Sequence, residues 1–310
     1  MTRILVSGLP RSGTTWLART IAEAPGAIYV HEPDTIEVDP LAWVARRDLG
    51  FFPTLSPGDR ADDYRLLWEF AFAGGWPERV RWPQWIRNGA AKRQLPFELR
   101  AALLRFGARR IIARGPITEH QVVKSVFSVS TLEWLAEEFH PTVIVTWRHP
   151  LNLVPSWQER GWPVHEYRIR PVVEARFGGT DVWPLPTEGD VERFAWAACA
   201  ESVLALETAA SHGDWIVVGH EQHCLDPLRA FETLFQHAHL QWTDRVADAL
   251  LGTNRDGSGY ETNRMWRDEP QRWRTRLSPS ERETVQSTVA RFEHVSPTAA
   301  AAWRSSPAIV

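Results

Sequence analysis

The sequence is poor in sulfur, with two cysteines and two methionines in 310 residues. Cys199 and Cys224 cannot build a disulfide framework, and their spacing matches no zinc site. Long hydrophobic runs are absent too. No stretch approaches the roughly 18 apolar residues of a membrane-spanning helix. The opening MTRILVSG passes straight into a strand pattern, so no secretory leader is expected. These absences together predict a protein of the reducing cytoplasm. Excess charge of either sign is also missing: 35 Lys and Arg stand against 38 Asp and Glu, a net charge of −3. No basic tail or stripe points to nucleic acid. Any anion site must therefore be a local cluster of arginine and lysine.

What is present is ordinary globular composition, 44% apolar and 24% charged. The length suffices for one large α/β domain with a real core. Short apolar runs at 3–7, 27–30, 121–126, 142–147 and 215–219 read as strands. Most are continuous rather than alternating, which suits a parallel sheet buried on both faces. Helical patterns lie between them, at 14–24, 131–139, 191–211, 227–237 and 279–292; the last two open on a proline. The alternation predicts a single doubly wound α/β domain over residues 1–310, with a central parallel sheet flanked by helices.

Two stretches interrupt it. Residues 34–118 contain helical patterns near 62–72 and 97–109, and residues 161–190 read as loop. Both are expected to lie over the carboxyl ends of the strands, where open sheets bind ligands, and to form a lid for a second substrate. Tryptophan is abundant, 17 in all. Trp43, Trp76, Trp82, Trp85, Trp162 and Trp183 fall in these insertions. They suit an apolar or sugar-bearing ligand, and core packing accounts for them equally well.

The chemistry begins at VSGLPRSGTTWL, residues 6–17. Gly8, four residues and Gly13 open a P-loop pattern, but Thr14 and Thr15 follow where Lys and Ser or Thr belong. Backbone N–H groups of the turn and of the following helix make an anion cradle. Ser12, Thr14 and Thr15 add hydroxyls, and Arg11 adds a fork of charged donors. Without the lysine that reaches the outer phosphates, the loop suits one compact anionic group better than MgATP.

LPRSGTTWL resembles the 5′-phosphosulfate loop of sulfotransferases that use 3′-phosphoadenosine 5′-phosphosulfate (PAPS), a specific motif. The resemblance implies the P-loop-like sulfotransferase fold, with Arg11, Ser12, Gly13, Thr14 and Thr15 at the phosphosulfate and Trp16 stacked on adenine. After the strand TVIVTW, Arg148 and Ser156 match the family's Arg-x7-Ser spacing for the 3′-phosphate. Arg148 supplies bidentate charge there and Ser156 a hydroxyl. The stretch VGHEQHCLDPLRAF resembles the late strand–helix segment, with His220, Glu221 and Gln222 where YED is usual. WRTRLSPSE resembles a segment of bacterial-type members. The R-K-G triplet of cytosolic members is absent; Arg255, Arg264 and Arg267 are the candidates to replace it.

Cytosolic members end their third strand with Lys-Thr-His, the lysine serving the leaving oxygen and the histidine acting as base. Here the residues are Lys124, Ser125 and Val126, so the lysine is kept and the base is not. The second strand ends in HEPD, residues 31–34. Glu32 is the expected general base, with His31 second; alternation along the strand predicts that the two face opposite ways. The reading is sulfuryl transfer from PAPS to a hydroxyl of a small molecule, glycan or glycolipid. No histidine spacing suggests a metal site, and arginine and lysine suffice to neutralise the leaving group. Two rivals use the same residues. A small-molecule kinase with a degenerate P-loop predicts Mg-dependent ATP binding, which the missing lysine opposes. A non-catalytic nucleotide- or carbohydrate-binding protein would tolerate loss of Glu32 and Lys124.

Overall fold

The computed structural model describes residues 2–76, 96–115, 118–161, 166–187, 189–257 and 263–309. Strands β1 (Thr2–Gly8), β2 (Ala27–His31), β3 (His120–Ser125), β4 (Thr142–Trp147) and β5 (Ile216–Gly219) form one sheet in the order β2-β3-β1-β4-β5. Every ladder is parallel. Side chains alternate between two apolar cores. Leu5, Val123, Val143 and Val145 enter one, while Ile4, Val6, Val122, Ile144 and Val218 enter the other. That is why the strands read as continuous hydrophobic runs. Helices Asp62–Phe72, Leu132–Phe139, Pro150–Gln158, Asp190–Ala210 and Pro279–Val295 cover the first face. Helices Thr14–Ile21, Pro227–His237 and Asp244–Leu251 cover the second. The fold is thus a doubly wound α/β sheet.

Local chemistry sets the helix starts. Asp226 caps the helix opening with Pro227, and Ser278 with Glu281 forms a reciprocal capping box before Pro279. The connection after β1 runs to β2 at one edge of the sheet. Later connections return across β1 to β4 and β5. The carboxyl ends of β1 and its neighbours therefore sit at the reversal of direction where such sheets bind ligands.

Residues 161–190 are not all loop, because Glu166–Phe177 is helical. Pro171 lies inside this helix and hides its signal, yet Val173 and Phe177 are buried at i, i+4 spacing. In the first insertion Trp43 packs on Phe97 at 4.4 Å under the Arg100 guanidinium, and Trp76 packs on Phe70 at 4.7 Å and donates to Asp39. Trp183 meets Trp196 at 6.3 Å. These three tryptophans are packing residues. Trp82, Trp85 and Trp162 lie outside the described residues. Among the described residues, no helix is long and apolar enough to cross a membrane.

Glu201 lies buried in the Asp190–Ala210 helix, and burial pushes its carboxyl up to about 8. The folded chain thus binds this proton more tightly than the unfolded chain. The stability it favours is full below the unfolded value and is lost as pH rises through about 8. Glu201→Gln is expected to remove this slope. In urea titrations the variant should gain about 2 kcal/mol over wild type between pH 6 and pH 8. Parallel pH profiles for the two proteins would refute the assignment.

Candidate active site

The turn after β1 has its carbonyls tied down. Leu9 O accepts from Ser12 Oγ (2.7 Å), Pro10 O from Trp157 Nε1 (2.9 Å) and Arg11 O from Arg148 Nη1 (3.2 Å). Ser12 O accepts from Thr146 Oγ1 (2.9 Å), and Gly13 O from Leu17 N (3.0 Å). With its acceptors fixed, the turn leaves donors to face a ligand. The helix Thr14–Ile21 begins at Gly13 with no side-chain cap and no acidic residue in its first turn. Its first N–H groups are those an anion would bind.

Backbone conformation explains the residue types. Gly13 has φ 92°, and a Cβ there would stand 2.3 Å from His220 Nδ1. A Cβ on Gly8 would stand 2.1 Å from the Thr146 carbonyl. Arg11 takes φ 72° and Glu32 φ 40°, a left-handed conformation that non-glycine residues adopt uncommonly.

This turn lines a cavity of about 710 Å³, in the upper part of the roughly 300–1,000 Å³ range of small-molecule sites. Arg11, Gly13, Thr14, Thr15 and Trp16 reach it, as do His31, Glu32, Lys124 and Arg148. Ser12 and Ser156 do not line it. The Ser12 hydroxyl is turned inward to Leu9, and Ser156 Oγ accepts from Arg11 Nε at 3.0 Å. Ser156 thus orients Arg11 in this structure, which links the two anion-binding motifs directly.

Positive charge is concentrated at the β1 and β4 ends. Arg11 is lowered to about 10 by burial and by Arg148, Arg264 and Arg160 nearby. Glu269, nearly buried, collects the other cations. It accepts from Arg148 Nη2 (2.9 Å) and pairs with Arg272, with His220 Nε2 (3.7 Å) and with Arg264 Nε (3.9 Å). Burial would raise the Glu269 carboxyl, but Arg148, His220 and Arg272 hold it well below its ordinary range. Burial would likewise lower His220; Cys224 and Glu269 outweigh it and lift the ring to about 9. Behind Arg148, Glu221 Oε1 accepts from His149 N and Asn152 Nδ2 and fixes the strand end. Of the three arginines proposed to replace the missing triplet, Arg264 lines the cavity, whereas Arg267 is exposed beside Asp268 and Arg255 does not reach it.

At the β2 and β3 ends, Glu32 and Lys124 form an ion pair. Lys124 is buried, which lowers its pKa although the Glu32 carboxylate opposes the shift. Thr35 Oγ1 donates to Glu32 Oε2 at 3.3 Å, and Glu32 N donates to Lys124 O at 2.7 Å. His31 and Glu32 do not face opposite ways: both line the cavity. The strand ends at His31, and the positive φ of Glu32 breaks the alternation. Burial lowers the His31 pKa, and its Nδ1 contacts the Tyr29 hydroxyl at 2.7 Å.

Trp16 forms cavity wall with Trp266, but its ring is also packed edge-on against Phe231 and bonded through Nε1 to Thr253. Trp266 and Glu269 carry no local motif, His220 and Cys224 come from the VGHEQHC segment, and Phe51, Phe52 and Phe127 form a further part of the wall. The charge-rich run around Glu269 was the available signal for that segment.

Residues 3–244 match the model of the sulfotransferase family. No curated protein matches the chain. Among solved structures, the sulfotransferase domain of the Synechococcus PCC 7002 olefin synthase is 13% identical, covering 93% of this chain and 94% of that one at a TM-score of 0.47. The sulfotransferase domain from the curacin biosynthetic pathway is also 13% identical, covering 93% and 97% at 0.48. Sulfotransferase STF9 from Mycobacterium avium is 16% identical, covering 94% and 76% at 0.43. The family match spans most of the sequence and includes the first turn, Glu32, Lys124 and Arg148: the chain belongs to the sulfotransferase family.

Proposed function

We propose that the protein moves a sulfuryl group from PAPS to a hydroxyl of a small-molecule, glycan or glycolipid acceptor in the cytoplasm. The observation that carries this reading is the pair of anion-seeking groups at the ends of adjacent strands. One is the carbonyl-tethered turn with Arg11 after β1; the other is Arg148 after β4. A donor with a sulfated 5′-phosphate and a separate 3′-phosphate matches both, without the P-loop lysine that a triphosphate wants. Glu32 takes the proton of the acceptor hydroxyl. The acceptor oxygen attacks sulfur in line as the bond from sulfur to the phosphate oxygen breaks, by analogy with phosphoryl transfer. Lys124, Arg11 and the amides of the turn receive the charge that grows on the leaving phosphate. The products are a sulfate ester and adenosine 3′,5′-bisphosphate, and the proton passes from Glu32 to solvent.

Thermal-shift titrations with adenosine 3′,5′-bisphosphate, adenosine 5′-monophosphate and MgATP test the donor. The bisphosphate should raise Tm most. MgATP raising it as much or more would favour a kinase and remove this reading.

A further inference from the structure

The cavity ends differently on its Lys124 side. Phe51, Phe52 and Phe127 stand there with ring centroids 4.9 to 5.4 Å apart, all three half-buried and lining the space together with Val126. Lys124 and Val126 alternate to the same side of β3 and its extension. Phe127 is positioned by a buried chain: its N–H donates to Ser125 Oγ (3.0 Å), which donates to Asp34 Oδ2 (2.7 Å). Among the described residues, each interior cation at this end is already engaged. Lys124 pairs with Glu32, and Arg46 donates to the carbonyls of Asp34, Gly50 and Phe51 from beside the Phe51 and Phe127 rings. Arg19 and Glu37, of opposite sign, are exposed.

Such a wall rewards burial of apolar surface. Among the described residues it offers no spare interior cation for an anionic acceptor and few donors for the many hydroxyls of a sugar. We infer that the acceptor is an uncharged alcohol or phenol whose aromatic or alkyl body lies against Phe51, Phe52 and Phe127, with its hydroxyl toward Glu32. This inference rests on the sulfotransferase reading above and narrows it: glycans and carboxylated acceptors are disfavoured.

The test uses purified enzyme, PAPS and three probes, namely 2-naphthol, methyl β-glucoside and 4-hydroxybenzoate, with mass spectrometry detecting one added sulfuryl group. The expected kcat/KM for 2-naphthol exceeds that of each other probe at least about tenfold. Phe127→Ala should raise the KM for 2-naphthol about tenfold while the Kd for adenosine 3′,5′-bisphosphate stays unchanged. Equal use of the glucoside or the benzoate overturns the inference. So does an unchanged KM in Phe127→Ala, or bisphosphate binding without turnover of 2-naphthol. Failure to bind the bisphosphate at all would instead remove the sulfotransferase reading beneath it. Phe127→Leu keeps an apolar side chain, and a smaller rise in KM for it than for Phe127→Ala is expected. If Phe127→Ala does not fold, an unchanged KM in Phe127→Leu overturns the inference.

Discussion

Glu32→Gln is expected to lower kcat about 10²- to 10⁴-fold, the range a positioned general base supplies, while the Kd for adenosine 3′,5′-bisphosphate changes little. The amide keeps the size of the side chain and an oxygen for Lys124, so the shape of the site survives. What it loses is the ability to accept a proton. Lys124, deprived of its carboxylate partner, would move further in the direction burial already drives it. Part of the loss therefore passes through the leaving group, and a kcat–pH profile separates the two contributions. A weakened Lys124 shifts the alkaline limb downward, whereas loss of the base alone leaves that limb in place. His31 shares the cavity, and burial favours its neutral ring, so His31→Ala is the paired control. Full activity in Glu32→Gln with loss in His31→Ala would transfer the role to His31, and full activity in both would place the base elsewhere.

Arg148→Ala should raise the Kd of adenosine 3′,5′-bisphosphate at least about 30-fold and that of adenosine 5′-monophosphate less than about fivefold. Truncating a buried, hydrogen-bonded charge opposite an anion costs about 2–5 kcal/mol, and each 1.4 kcal/mol is tenfold in affinity. Arg148 also partners Glu269 and the Arg11 carbonyl, so the variant loses stability as well. Glu269 keeps Arg272 and His220, which limits that loss. Comparing two nucleotides on one preparation cancels any unfolded fraction. Arg148→Lys retains the charge without the fork and should fall between the two. Isothermal titration giving equal weakening of both nucleotides would detach Arg148 from the 3′-phosphate.

Much of the scaffold was readable because it obeys local rules. Strands buried on both faces appear as unbroken apolar runs, and Pro227 and Pro279 mark helix starts that the structure keeps. The turn at Gly8–Gly13 was readable because close approach by Thr146 and His220 restricts those positions to glycine. Other features depend on contacts between distant parts of the chain. Glu269 gathers Arg148 across 121 residues, and Ser156 reaches Arg11 across 145, and no periodicity encodes such pairs. The facing of His31 and Glu32 was misread because a single positive φ after the strand cancels its two-residue period. The tryptophans drew attention by number, but those described in the insertions pack inward, while less conspicuous phenylalanines line the cavity.

The order β2-β3-β1-β4-β5 puts the donor-side groups at the tips of three hydrogen-bonded neighbours, whose registers fix where the turn, Lys124 and Arg148 emerge. Phe51, Phe52 and Glu37 come instead from chain outside the sheet. On the function proposed above, part of the acceptor wall is thereby separable from the strand ends that would hold the donor, while Phe127 follows β3 directly. On that reading, a relative that exchanged the outer segment would greet a different alcohol and leave the nucleotide's berth untouched.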